Sequence, residues 1–160
     1  MSTRAVIKFN HGRSNVAMVY RHGDGYVEGL GQSVFQFLHS CKQLHDSRFR
    51  DASYLAAKWV VYDSQEYGKD TYRFRNEKRD GYTLNFLSVG IVSREPGDIE
   101  FRYTIDCDKL NQHGLPPVKV EKRFYGESRD TDSWGTPDGE GDLYKILKVW
   151  SSESQKVLAV

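Results

Sequence analysis

Two periods run through the chain, one of two residues and one near 3.6, and they divide it into strands and helices. The runs "AVIKF" (5 to 9) and "VAMVYR" (16 to 21) are short and β-prone, and "NHGRSN" between them suits a turn, so a hairpin is expected. Alternation puts Ala5, Ile7 and Phe9 on one face of the first strand. It puts Val16, Met18 and Tyr20 on one face of the second, with Arg21 pointing opposite to Tyr20. "HGDGYVEGLG" (22 to 31), with four glycines in ten residues, then leaves the strand.

From Ser33 the period changes. Val34, Phe37, Leu38 and Cys41 follow helical spacing to about Gln43, and "LHDSRFR" is a short connection. Asp51 is placed to cap a second helix with the apolar stripe Ala52, Leu55, Ala56, Trp59 and Val60, and Gly68 is placed to close it. "KDTYRFRNEKRDGY" (69 to 82) reads as a polar loop or ragged hairpin, and "TLNFLSVGIV" (83 to 92) as a strand. "SREPGD" turns around Pro96-Gly97. In "DIEFRYTID" (98 to 106) Ile99, Phe101, Tyr103 and Ile105 alternate strictly with Glu100, Arg102, Thr104 and Asp106, the pattern of a strand with one wet face. "VKVEKRFY" (118 to 125) is a further strand. Residues 126 to 142 form an acidic, Gly-rich loop in which Trp134 stands out, and a C-terminal helix over 143 to 158 carries Leu143, Ile146, Leu147 and Trp150 on one stripe, capped by Asp142. That stripe has to be buried against this domain or against another copy of the chain in a homo-oligomer. The expected fold is a single α+β domain over 1 to 160: an antiparallel sheet of about five strands, a two-helix hairpin on one face and a C-terminal helix.

Composition narrows the function classes. With 23 Lys plus Arg against 22 Asp plus Glu, a net charge of +1 gives no general pull toward nucleic acid or an acidic membrane surface. Basic and aromatic residues do alternate in "YRFR" (72 to 75) and "KVEKRFY", but nucleic acid is not the favoured partner. No apolar run is long enough to cross a membrane and the N-terminus lacks a leader pattern, so a cytoplasmic protein is expected. Cys41 and Cys107 have no paired spacing and read as reduced, buried thiols.

The chemistry concentrates in "VYRHGDGYVEGLG" (19 to 31). A glycine-rich turn entering a helix can converge backbone N–H groups on an anion, with Arg21 assisting, although neither the phosphate-loop nor the dinucleotide pattern is present. The alternative is a structural turn in which Asp24 bonds backbone and Tyr26 packs. His22 and Asp24 would need Asp106 and Asp108 to complete a metal site, and no spacing supports one, so neither metal nor cofactor is assigned. No serine elbow or cysteine signature is present either, so binding is expected over catalysis. The alternative is a metal-independent phosphodiesterase or nuclease on small nucleotides, with His22 as acid or base, Arg21 on phosphate and Asp24 orienting the imidazole. Should the turn be structural, the wet strand face around Arg102 and Thr104 is the next place to look.

The segments "MSTRA", "YRHGDGYVEG", "AAKWVV", "EYG" and "GDIEFRYTIDCD" occur in an order that resembles a family of small uncharacterised proteins of bacteriophages and prophages. Its members begin Ser-Thr-Arg-Ala, continue Tyr-Arg-His-x-Asp-Gly-Tyr-Pro-Glu-Gly, and end near Gly-Asp-Ile-Glu-Tyr-x-Tyr-x-Ile-Asp. The resemblance covers about residues 1 to 108 and carries no established activity. Val27 replaces the family's proline, and the chain continues beyond a family-like core of 1 to 125. Because the shared residues gather at the N-terminus and the turn, the resemblance implies a binding surface made of Arg4, Tyr20, Arg21, His22, Asp24 and Tyr26. The implied role is a non-enzymatic phage accessory protein in the host cytoplasm. It would bind a host protein or a nucleotide-like small molecule and so inhibit host defence.

Overall fold

The computed structural model describes residues 3–73, 89–126 and 131–149. Strands β1 (Ala5–His11) and β2 (Ser14–Arg21) form the expected hairpin; helices α1 (Gln32–Gln43) and α2 (Ala52–Arg73) follow. Then come β3 (Val89–Ile91), β4 (Phe101–Asp106), β5 (Val118–Phe124), β6 (Ser133–Gly135) and the single helical turn α3 (Leu143–Ile146). The fold is α+β. Its sheet has six strands in the order β3-β2-β1-β4-β5-β6, and it is mixed, because β1 and β4 lie parallel while the other neighbours are antiparallel.

One face of the sheet carries the main core. Ala5, Ile7 and Phe9 of β1, Val19 of β2, Phe101, Tyr103 and Ile105 of β4 and Val118 and Val120 of β5 meet Val34, Phe35, Phe37 and Leu38 of α1 and Leu55, Ala56 and Trp59 of α2. Both helices therefore cover the same face, as their apolar stripes require. Asp51 caps α2: its carboxylate accepts from the N–H groups of Ser53 and Tyr54. Both cysteines are buried free thiols, and burial pushes that of Cys107 up to about 12.

Several elements depart from the sequence pattern. In β2 the residues sharing the core face are Ala17, Val19 and Arg21, the register partners of Phe9, Ile7 and Ala5. Met18 and Tyr20 take the other face, and a bulge at Phe9/Asn10 leaves Val16 out of the register. Helix α2 runs past Gly68 to Arg73; the rest of the polar segment to residue 82, and residues 83–88 of the expected third strand, lie outside the described residues. The acidic loop contains the edge strand β6, whose Trp134 ring lies 4.0 Å from the Arg102 guanidinium. The C-terminal helix is one turn, ending before Lys148 at φ 50, and residues from 150 on lie outside the described residues. Leu143 and Tyr144 of that turn are buried in the main core.

The largest topological departure concerns β3 and β4. They are consecutive along the chain, yet β2 and β1 lie between them in the sheet. Residues 92–100 therefore cross the face opposite the helices. The strand expected over 98–106 starts at Phe101, and Ile99 is wholly buried in this crossing segment, outside the main core.

Candidate functional site

The turn after β2 is fixed from below. Arg21, on the core face of the sheet, forms a buried ion pair with Asp63 of α2, and its Nε donates to the Gly23 carbonyl at 3.1 Å. Burial pushes the Asp63 carboxyl up, against the opposing pull of Arg21. The Tyr103 hydroxyl, which burial holds in its protonated form, donates to the Gly25 carbonyl at 2.9 Å. Gly25 also lies so close to β1 that a Cβ there would stand 2.7 Å from the Ala5 Cβ and 2.9 Å from the Thr3 carbonyl. Asp24 takes φ 53, a left-handed conformation that Asp tolerates better than most residues.

The backbone of the turn closes on itself. Gly25 N–H donates to Thr3 O, Leu30 N–H to Asp24 O, and Gly29 and Gly31 N–H to Tyr26 O, as the chain passes through a wide π-type turn at Val27–Gly31 into α1. These donors are thus taken by carbonyls, and the expected convergence of N–H groups on an anion is not what the backbone builds here.

What the turn presents outward is side chains. His22, Asp24 and Tyr26 are exposed. His22 Nδ1 shares a 3.0 Å hydrogen bond with the Tyr20 hydroxyl. The Tyr20 phenol is held above its ordinary value by burial and by Asp98, against the pull of Arg4, so it keeps its proton. Arg4 in turn pairs with Asp98 at 2.6 Å, and its N–H reaches the Glu100 carboxylate. Arg4 and Tyr20 thus meet around Asp98 at one corner of the sheet, and His22 joins them through Tyr20. Asp24 and Tyr26 stand on the adjoining turn, whose Gly25 N–H donates to the carbonyl of Thr3, the residue before Arg4. Arg21 goes through the sheet to the helix side instead.

Asp106 and Asp108 do not join this corner. Asp106 is in register with Asn10, at the far end of β1 and about 20 Å from Arg4 by strand rise. The four residues considered for a metal are therefore split between opposite ends of the sheet. Among the described residues no group of three His, Cys, Asp or Glu comes together as metal ligands. No helix among them is long and apolar enough to cross a membrane.

Asp63 and Asp98 were not singled out by the sequence pattern. Asp63 had a signal available: it lies four residues after Trp59 on the buried stripe of α2, where an acid needs a buried cation. Asp98 had none, because its contact depends on how residues 92–100 cross the sheet.

The face around Arg102 is also organised. Arg102 binds Glu95 through Nε at 3.0 Å and again through Nη2, and reaches Glu121 at 3.3 Å. Lys8 pairs with Glu95 at 2.5 Å and Lys119 with Glu121 at 2.8 Å. Burial opposes the ionisation of Glu95 and Glu121, but the bonds from Arg102, Lys8 and Lys119 outweigh it and hold both carboxyls below their ordinary values. Thr104, half-buried, shares this face with Arg102 and Lys8. Compared with protein-family models, with curated proteins and with solved structures, the chain has no match to any of them.

Proposed function

We propose that the protein acts by binding rather than by catalysis. It would be a phage accessory protein that captures a nucleotide-like ligand, or a host protein, at the corner formed by Arg4, Tyr20, His22, Asp24 and Tyr26, and so counters a host defence. One observation carries this reading: the turn is over-determined by buried contacts from two layers, while its polar and aromatic side chains project into solvent. A surface ordered before its partner arrives loses less freedom on binding, which is the economy of a recognition site. Tyrosine rings suit a base, Arg4 and His22 suit phosphate, and Asp24 suits a sugar hydroxyl or an exocyclic amine. The resemblance to phage proteins at these same residues supports the biological half of the proposal.

The phosphodiesterase alternative asks Arg21 to hold phosphate, but its guanidinium is already committed to Asp63 inside the protein. A buried cation would first have to leave its partner, which favours binding. The test is to incubate the purified chain with a bacterial nucleotide extract and lysate, then identify both what is retained and what is produced. A nucleotide retained unchanged, and lost in Tyr26→Ala and His22→Ala variants that still fold, is the expected result. Cleavage products would establish an enzyme. Capture of a protein alone would turn the proposal to the host-factor form, and retention untouched by both substitutions would remove the turn as the site.

A further inference from the structure

Residues 92–100 form a strap across the sheet face opposite the helices, and its fastening has a chemical pattern. Its ends are tied by backbone bonds: Val92 N–H to Met18 O, and Glu100 N–H to Arg4 O. Between them, no backbone–backbone hydrogen bond joins residues 93–98 to the described strands. Side chains hold this middle portion. Lys8 and Arg102 bind Glu95, Arg4 binds Asp98, and Arg123 donates to the Gly97 carbonyl. Lys8, Arg102 and Arg123 from three strands, with Arg4 just before β1, thus converge on one short loop.

The Glu95 contact is of the kind a phosphate would take: a guanidinium fork on two oxygens, with an ammonium beside it. Arg102 has further support, since Glu121 reaches it at 3.3 Å and the Trp134 ring lies against its guanidinium at 4.0 Å. Its position therefore survives the departure of Glu95. Lifting residues 93–98 would break side-chain bonds and leave the sheet ladder intact.

We infer that the strap is a built-in anion mimic: Glu95 occupies a phosphate-binding face made by Lys8 and Arg102, and a linear phosphate chain reaches this face by displacing residues 93–98. The face goes beyond the turn, since neither Lys8 nor Arg102 belongs to that site.

Inorganic tripolyphosphate is the probe, titrated by calorimetry into the full chain, with circular dichroism as the check of folding. Glu95→Gln removes the competing charge and should bind at least about tenfold more tightly than the unaltered protein, as expected for a charge-assisted contact set free. Adding Lys8→Ala should cancel that gain. Arg13→Ala, on the exposed turn between β1 and β2 and outside both sites, should leave tripolyphosphate affinity unchanged, which shows that the gain is local to this face. A folded Glu95→Gln protein that binds no better than the unaltered chain, or a gain that survives Lys8→Ala, overturns the inference. If Glu95→Gln does not fold, limited tryptic cleavage of the unaltered protein after Arg94 decides. Faster cleavage there on adding tripolyphosphate supports displacement, and an unchanged rate overturns it.

Discussion

The turn at residues 22–26 and the strap at residues 93–98 are both short, polar and glycine-containing, and they approach one another at Arg4, yet they are held by different physics. The turn is fixed by a buried ion pair, a buried phenol and backbone contacts too close to admit a Cβ. The strap is fixed by partly exposed carboxylates on Lys8 of β1, Arg102 of β4 and Arg4 just before β1. The first kind of fastening is indifferent to solvent and costly to alter. The second responds to pH, salt and competing anions. The same residue types thus make a fixed platform in one place and a releasable cover in the other, according to the burial of their partners.

The comparison can be broken most directly at Asp63. Asp63→Asn leaves Arg21 buried opposite a neutral group and should cost about 3–5 kcal/mol in urea unfolding. Combining Arg21→Met with Asp63→Leu should recover most of that loss. A small effect of Asp63→Asn would mean that the turn does not rest on the pair. Gly25→Ala comes next: the added methyl meets the Ala5 Cβ and backbone that cannot yield, so a loss of roughly 1–3 kcal/mol is expected in thermal melts, with the strap unaffected.

Acid sharpens the contrast. Glu95 and Glu121 titrate below their ordinary values, so their contribution is fully present above about pH 4.3, the unperturbed glutamate value, and is lost as pH falls through their lowered folded-state values. The emission of Trp134, which lies on Arg102, should change in that acid window. The Gly25 amide should stay protected. Loosening of both regions together would show that they are not independent. The smallest effect is expected for Tyr20→Phe, which removes the bond to His22 at an accessible position. Stability should move by less than about 0.5 kcal/mol, while affinity for whatever ligand the retention experiment identifies falls.

Period alone was enough to find α1, the start of α2 with its Asp51 cap, the β1–β2 hairpin and the alternating core face of β4, because each rests on contacts between near neighbours or on burial of one face. It also placed Arg21 opposite Tyr20. What it could not supply was which face of β2 the helices would cover: Val16, Met18 and Tyr20 are the more apolar set, but the register with Ala5, Ile7 and Phe9 puts Ala17, Val19 and Arg21 inside. Arg21 could enter the core only because Asp63 arrives from a helix 42 residues further along the chain.

The sequence by itself therefore determined α1, the start of α2, the β1–β2 hairpin, the core face of β4 and the α+β class, since propensity and amphipathic period act over a few residues. The tertiary structure decided that β4 pairs parallel to β1, that residues 92–100 must then cross the second face, and that Glu95 meets Lys8 and Arg102 while Asp98 meets Arg4. Strand order and ion pairing between distant segments depend on which surfaces are buried together, and no local pattern encodes that choice.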